Sequence, residues 1–180
     1  VGDAVRLTGI LFTARDAVHA YLAGGGEPPC HLDGAVIYHC GPVVVRDGES
    51  WRVSAAGPTT SIREEPYMAS IIERFGLRAI IGKGGMGLGT LSACARHGCV
   101  YLHAVGGAAQ VLAGAIKAVR DVYLLDRFGA PEAIWELDVE DFPAVVTMDA
   151  AGNSLHETVN QQSRERLARL TAGDATHGGS

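Results

Sequence analysis

Two segments of this chain carry groups suited to holding an anion. Gly82-Lys83-Gly84-Gly85-Met86-Gly87 sets four glycines and an ammonium between an apolar run, Ala79 to Ile81, and a helical pattern that starts at Leu88. Such a connection turns backbone N–H groups toward a ligand at a helix N-terminus. Gly82, Gly84 and Gly85 are therefore candidates for an anion-binding loop, with Lys83 adding a full charge. A tight turn needing positive φ would use the same glycines. Gly57-Pro58-Thr59-Thr60-Ser61-Ile62-Arg63 places three hydroxyls and a guanidinium after a strand-like run and before a helix, where open α/β sheets bind ligands. Alone, it also reads as a polar turn whose hydroxyls bond nearby backbone. A guanidinium fork and an ammonium on adjacent glycine-rich connections together suit a small molecule carrying carboxylates. Arg15, beside Asp16 at the start of the first helical pattern, either extends that anion site or forms a surface ion pair.

Other signals are weaker. The glycine loop fits G-x-G-x-x-G, but the stretch about 20 positions on, His97 to Gly107, has no acid to hold a ribose. Lys83 also follows the first glycine too closely for a P-loop. A dinucleotide-binding oxidoreductase domain is thus the alternative reading. Tyr38-His39-Cys40-Gly41-Pro42 is a structural turn, because neighbouring side chains on a strand face opposite ways and keep the imidazole from the thiol. Gly106-Gly107-Ala108-Ala109 offers another helix start or close backbone packing. His97, His103 and His156 have no metal-ligand spacing. Cys94 and Cys99 resemble the first pair of a plant-type ferredoxin site without the next cysteine, so no metal ligand is assigned to this chain.

These residues must be positioned by a β-rich first third followed by alternating helices and strands, the mark of α/β units. The patterns predict a strand over Val5 to Ile10, a helix from Thr13 to Leu22 stopped by Gly24 to Gly26, and β runs at Gly34 to His39 and Pro42 to Arg46. Met68, Ile71, Ile72 and Phe75 follow helical spacing, with Gly76 as the stop. Ser61 to Glu64 matches a capping box, yet Pro66 favours a helix beginning at itself, leaving Thr59 to Glu64 as a loop with free side chains. Ala79 to Ile81 and Cys99 to Val105 read as strands, Leu88 to His97 and Ala108 to Val119 as helices, and Trp135 to Val139 and Ala144 to Met148 as two closing strands. No internal repeat is present. Residues 1–160 form one domain, and 161–180 form a polar, partly disordered tail that includes Gly173 to Ser180.

With 180 residues, 47% of them hydrophobic, and a net charge of −5, the chain describes one globular α/β domain. Scattered basic residues and the acidic balance exclude a nucleic-acid face. No apolar stretch reaches the roughly 18 to 20 residues needed to span a bilayer, and no secretory signal is visible. The four cysteines are too sparse for a disulfide framework. A cytoplasmic setting with reduced thiols is expected.

Gly41-Pro42, Gly57-Pro58-Thr59-Thr60-Ser61 with Arg63, Ile81-Gly82-Lys83-Gly84-Gly85-Met86 and Gly106-Gly107-Ala108-Ala109 occur in this order, followed by Trp135, Val139-Glu140-Asp141-Phe142-Pro143 and Asp149 to Asn153. From about Val5 to Val159 the chain resembles the C-terminal domain of class I fumarases and the beta subunit of L-tartrate dehydratases. The resemblance implies a swivelling β/β/α domain and a hydro-lyase that reversibly dehydrates a 2-hydroxy dicarboxylate. It also implies a [4Fe-4S] cluster held by an alpha subunit and not by this chain, in a heterodimer or heterotetramer. By resemblance Thr59 is the catalytic base, while Thr60, Arg63, Lys83 and Arg15 bind substrate. Elimination of water needs a base, a Lewis acid on the departing hydroxyl and cations for the charge that develops on the carboxylate. Glu64-Glu65 stands where a Met-acid pair is common in relatives, which leaves the identity of the diacid open. A non-catalytic regulatory subunit of the same fold is the remaining alternative.

Overall fold

The computed structural model describes residues 1–174. Four parallel strands form its centre: β1 (Ala4–Ala14), β2 (Val36–His39), β5 (Ala79–Gly82) and β6 (Val100–His103). A long antiparallel strand, β8 (Ile134–Met148), pairs with β1 through Glu136 to Val145 and with β6 through Val145 to Met148. Its two partners are the outer members of the parallel set, so the pairings close a ring. β7 (Ile116–Tyr123) adds to the outer edge of β8, and β3 (Val43–Asp47) with β4 (Ser50–Ala55) makes a separate hairpin. Pro143 is tolerated inside β8 because it lies between the residues paired to β7 and those paired to β6, where no ladder bond is lost on that side.

Alternation along the strands divides the core. Phe12, Ile37, Ile80 and Tyr101 face helices α1 (Asp16–Ala23), α2 (Glu65–Phe75) and α3 (Leu88–His97), whereas Leu11, Tyr38, Ile81 and Leu102 face Trp135, Leu137 and Phe142. Met68, Ile71, Ile72 and Phe75 are all buried in the helix-side cluster, each worth about 1.5–3 kcal/mol of apolar transfer. Gly76 ends α2 in the left-handed region, as the sequence predicts.

Three expectations are corrected. Thr13 and Ala14 belong to β1, because the Thr13 hydroxyl donates to the Ala133 carbonyl at 3.2 Å and accepts the Trp135 N–H at 3.0 Å. The helix expected over Ala108 to Val119 is only α4 (Ala109–Gly114); Ile116 onward alternates and pairs with β8. The two closing strands are one. The polar segment from residue 161, expected to be a partly disordered tail, lies up to Asp174 in a helix, α6 (Leu155–Asp174). The disorder expected for Gly173 to Ser180 falls, from residue 175, outside the described residues.

Candidate active site

The parallel strands end at one edge of the ring, and the segment after β4 crosses that edge. Pro58 bridges Cys40, just past β2, and Thr60 bridges Lys83, just past β5. The Thr59 N–H donates to the His39 carbonyl at 2.7 Å, the Lys83 N–H to the Thr59 carbonyl at 3.3 Å, and the Ser61 N–H to the Lys83 carbonyl at 3.1 Å. Thr59 to Arg63 thus follows a hairpin strand in sequence, yet it reaches the carboxyl ends of the parallel strands through these bridges. Thr60 and Lys83, as partners in a parallel bridge, project from the same face.

Arg15 follows β1 directly. Its Nε lies 3.3 Å from Glu132 Oε1, and the other Glu132 oxygen accepts the Ala17 N–H at 2.9 Å. The Arg15 stem lies over Gly41, where a Cβ would come within 2.9 Å of Arg15 Cδ. Arg63 pairs with Asp16. Lys83 makes no ion pair with any described residue, and its stem passes Gly106, where a Cβ would lie 3.5 Å from Lys83 Cδ. Arg15 and Arg63 thus each have a carboxylate partner, and Lys83 has none among the described residues. The open question of an Arg15–Asp16 pair is settled differently: each pairs with a residue remote in sequence.

The glycine loop works otherwise than a free helix terminus. Glu65 occupies the start of α3, accepting the Gly87 N–H at 2.7 Å, the Thr90 N–H at 3.1 Å and the Thr90 hydroxyl at 2.7 Å. The helix dipole is answered by the protein's own carboxylate, so no pyrophosphate position remains there and the dinucleotide reading loses its structural basis. Gly82 and Gly85 serve close packing. A Cβ at Gly82 would overlap the Ser61 hydroxyl, and Gly85, at φ +127, has the His156 ring where a side chain would be. Gly84, at φ +84, is exposed with nothing within 4 Å of its Cβ position.

The side chains of Thr59 to Glu64 are not all free. Thr60, Ile62 and Arg63 are exposed, whereas Ser61 and Glu64 are buried in a 3-10 turn. Ser61 Oγ accepts the Tyr101 hydroxyl at 2.8 Å and lies 2.9 Å from His39 Nδ1. Glu64 Oε2 lies 3.3 Å from Nδ1 of buried His19. Burial holds His19 low, at about 4, and His39 well below the usual imidazole range, while burial pushes the Glu64 carboxyl up to about 7. The sequence singled out neither His19 nor Glu132, and offered Glu64 only as a local cap or a departure from relatives, not as the partner of a buried histidine. Their roles rest on partners 45, 115 or 117 positions away, and the only local hint was Glu64 itself, three residues after Ser61.

Thr59 is half-buried, and its hydroxyl donates to the His39 carbonyl at 3.1 Å. The four cysteines are free thiols, Cys40, Cys94 and Cys99 being buried. Among the described residues no three His, Cys, Asp or Glu side chains converge as a metal site requires, and no helix is long and apolar enough to cross a membrane.

Against known proteins, residues 1–159 match the family model described as "Fumarase C-terminus". A Geobacillus stearothermophilus protein provisionally named a fumarate hydratase class I is 57% identical over 171 residues, which cover 94% of this chain and 33% of that protein. The chain therefore spans about a third of the length of that relative. A Methanocaldococcus jannaschii protein provisionally named an L(+)-tartrate dehydratase subunit beta is 42% identical over 94% of this chain and 90% of its own length. The Escherichia coli K12 L(+)-tartrate dehydratase subunit beta is 36% identical over 86% of this chain and 78% of its own. With its cations, its glycine loop and its threonine segment carried on one edge of the sheet, this chain belongs to the fumarase C-terminus family.

Proposed function

We propose that the chain is the beta subunit of a [4Fe-4S]-dependent hydro-lyase that reversibly dehydrates a 2-hydroxy dicarboxylate of the malate or tartrate type. The observation that carries this reading is the backbone bridge that sets Lys83 beside Thr60, with Arg63 three residues on and tied to Asp16 next to Arg15, while Lys83 has no acidic partner among the described residues. A dicarboxylate supplies the missing counter-charge. One carboxylate pairs with Lys83 and the Thr60 hydroxyl. The other draws on the Arg63 and Arg15 guanidinium groups, both of which are held by partly exposed carboxylates and so can be shared. As the proton leaves the carbon next to a carboxylate, negative charge grows on that carboxylate, and fixed cations lower the barrier.

Among the described residues no three His, Cys, Asp or Glu side chains converge. The chain's cysteines are dispersed and mostly buried, and we assign the cluster to the alpha subunit. Four large apolar side chains left exposed, Ile62, Leu88, Val105 and Val111, lie on the segments that frame the site. They suit a face covered by that subunit, in a heterodimer or heterotetramer in the cytoplasm. The closed ring flanked by helices is consistent with the swivelling β/β/α type. Thr59 is the proposed base. Its proton rests on a carbonyl that cannot take it, so its activation depends on a group outside this chain.

Calorimetric titration of the assembled enzyme with malate, tartrate, NAD and NADP tests the assignment. Diacid binding without nucleotide binding is expected. Micromolar nucleotide affinity with no response to a diacid would reverse it.

A further inference from the structure

Behind the exposed face of the Thr59–Arg63 segment lies a buried polar cluster that the proposed chemistry does not use. Ser61, His19 and His39 are fully buried and Glu64 is 1% exposed. The Tyr101 phenol has one proton, which it gives to Ser61 Oγ at 2.8 Å. Ser61 Oγ also lies 2.9 Å from His39 Nδ1, so that one hydroxyl joins the phenol to the imidazole. The carbonyl of the same His39 receives both the N–H and the hydroxyl of Thr59. One residue thereby holds Ser61 with its ring and Thr59 with its backbone. At the other end of the segment, His19 Nδ1 donates to the Arg15 carbonyl at 2.9 Å with Glu64 Oε2 at 3.3 Å, and the two imidazoles cross edge to face at 4.9 Å. Thr59, Arg63 and Arg15 are all neighbours in sequence, or direct partners, of this cluster.

His19 Nε2, His39 Nε2 and Glu64 Oε2 are buried without a hydrogen-bond partner. Buried polar groups left unpaired cost stability, and apolar side chains of similar shape would cost less. Stability therefore gives no reason to keep two imidazoles and a carboxyl here. Geometry does: the cluster anchors Thr59, Ser61 and Glu64 in a segment whose Thr60 and Arg63 side chains stay exposed.

We propose that Ser61, His39 and Tyr101, backed by His19 and Glu64, are positioning residues that hold Thr59, Arg63 and Arg15 in the arrangement the reaction needs. This rests on the hydro-lyase reading above. A misplacement on the order of 1 Å at such a site costs about 100-fold in rate, so loss of one anchor should reduce kcat at least about 10-fold.

The test compares His39→Leu, His39→Asn, Ser61→Ala and Tyr101→Phe with the wild type, each assembled with the cluster-bearing subunit, for kcat, KM and melting temperature. Asparagine restores a polar atom at the δ position; leucine does not. The expected result is a fall in kcat for His39→Leu and Ser61→Ala, substantial recovery in His39→Asn, and a smaller fall in Tyr101→Phe with little loss of melting temperature. If His39→Leu does not fold, Ser61→Ala and Tyr101→Phe carry the same comparison. Wild-type kcat in folded Ser61→Ala and Tyr101→Phe, or equal kcat in the leucine and asparagine variants, overturns the inference alone. A wild-type assembly that turns over no diacid overturns the hydro-lyase reading and this inference with it.

Discussion

Replacing Lys83 with methionine separates the charge from the side chain that carries it. The methylene stem that passes Gly106 is kept, and so are the backbone bonds from Lys83 N–H to Thr59 and from Ser61 N–H to Lys83. No described contact that holds the fold is removed, because Lys83 is half-exposed and makes no ion pair with any described residue. The melting temperature should stay within a few degrees of wild type, as for a surface change worth about 0.5 kcal/mol or less. The kinetic effect should be large, since Lys83 is the site cation with no carboxylate partner among the described residues. Loss of one well-placed electrostatic contact to the transition state costs about 3–4 kcal/mol, or roughly 100- to 1,000-fold in kcat/KM. Steady-state assays of the assembled enzyme on its diacid, with thermal melts alongside, measure both quantities. A variant within twofold of wild-type kcat/KM would remove Lys83 from the site. A variant that loses activity only in proportion to a collapsed melting temperature would make it structural.

Arg63→Ala should behave similarly, and Asp16→Asn, which releases Arg63 from its partner, should lower KM for the diacid; a raised KM would show that Asp16 orients Arg63. Glu65→Ala should destabilise the fold by about 1–3 kcal/mol, the cost of leaving donors unpaired at a helix start, seen as a lower midpoint in urea. Gly85→Ala should also destabilise, because the added methyl meets the His156 ring at a positive φ; an unchanged melting temperature would refute that packing. For Glu64 the folded-state pKa is raised to about 7, so the native state binds the extra proton and stability falls as pH rises from about 4.5 to about 7. His19, lowered to about 4, acts oppositely between about 4 and 6.5, and the two slopes largely cancel where they overlap. Glu64→Gln should therefore gain stability relative to wild type as pH rises from 5 to 8, and a constant difference in denaturation midpoints would contradict the sign.

Elements were legible where one stretch of sequence carries the whole signal. Leu88 to His97 forms a helix as read, and the spacing of Met68, Ile71, Ile72 and Phe75 with Gly76 gave both the buried face and the stop of α2. β7 was missed because Ala108 to Gly114 favours a helix and the partner that makes Ile116 to Tyr123 a strand lies later in the chain. The same division holds at the site. Charged and hydroxyl residues stood out by type and position, whereas their partners did not: Glu65 reaches the start of α3 from α2, and Glu132 reaches Arg15 from beyond β7. Glu65 in particular caps the helix that follows the glycine loop, a contact with no local signal in the sequence. Ser61 and Glu64 fit the pattern of a local cap, yet both turn inward because His39, Tyr101 and His19 are there to meet them.

In the proposed function this chain supplies cations and a hydroxyl for diacid elimination, and its partner supplies the cluster. The most direct measurement treats the purified chain with iron and sulfide under anaerobic conditions, alone and mixed with the alpha subunit. Iron content, visible absorbance and turnover of fumarate, malate and tartrate are then followed. The chain alone should remain colourless, iron-free and inactive, and the mixture should turn over a diacid. A stable brown chain that is active without its partner would contradict this division of labour.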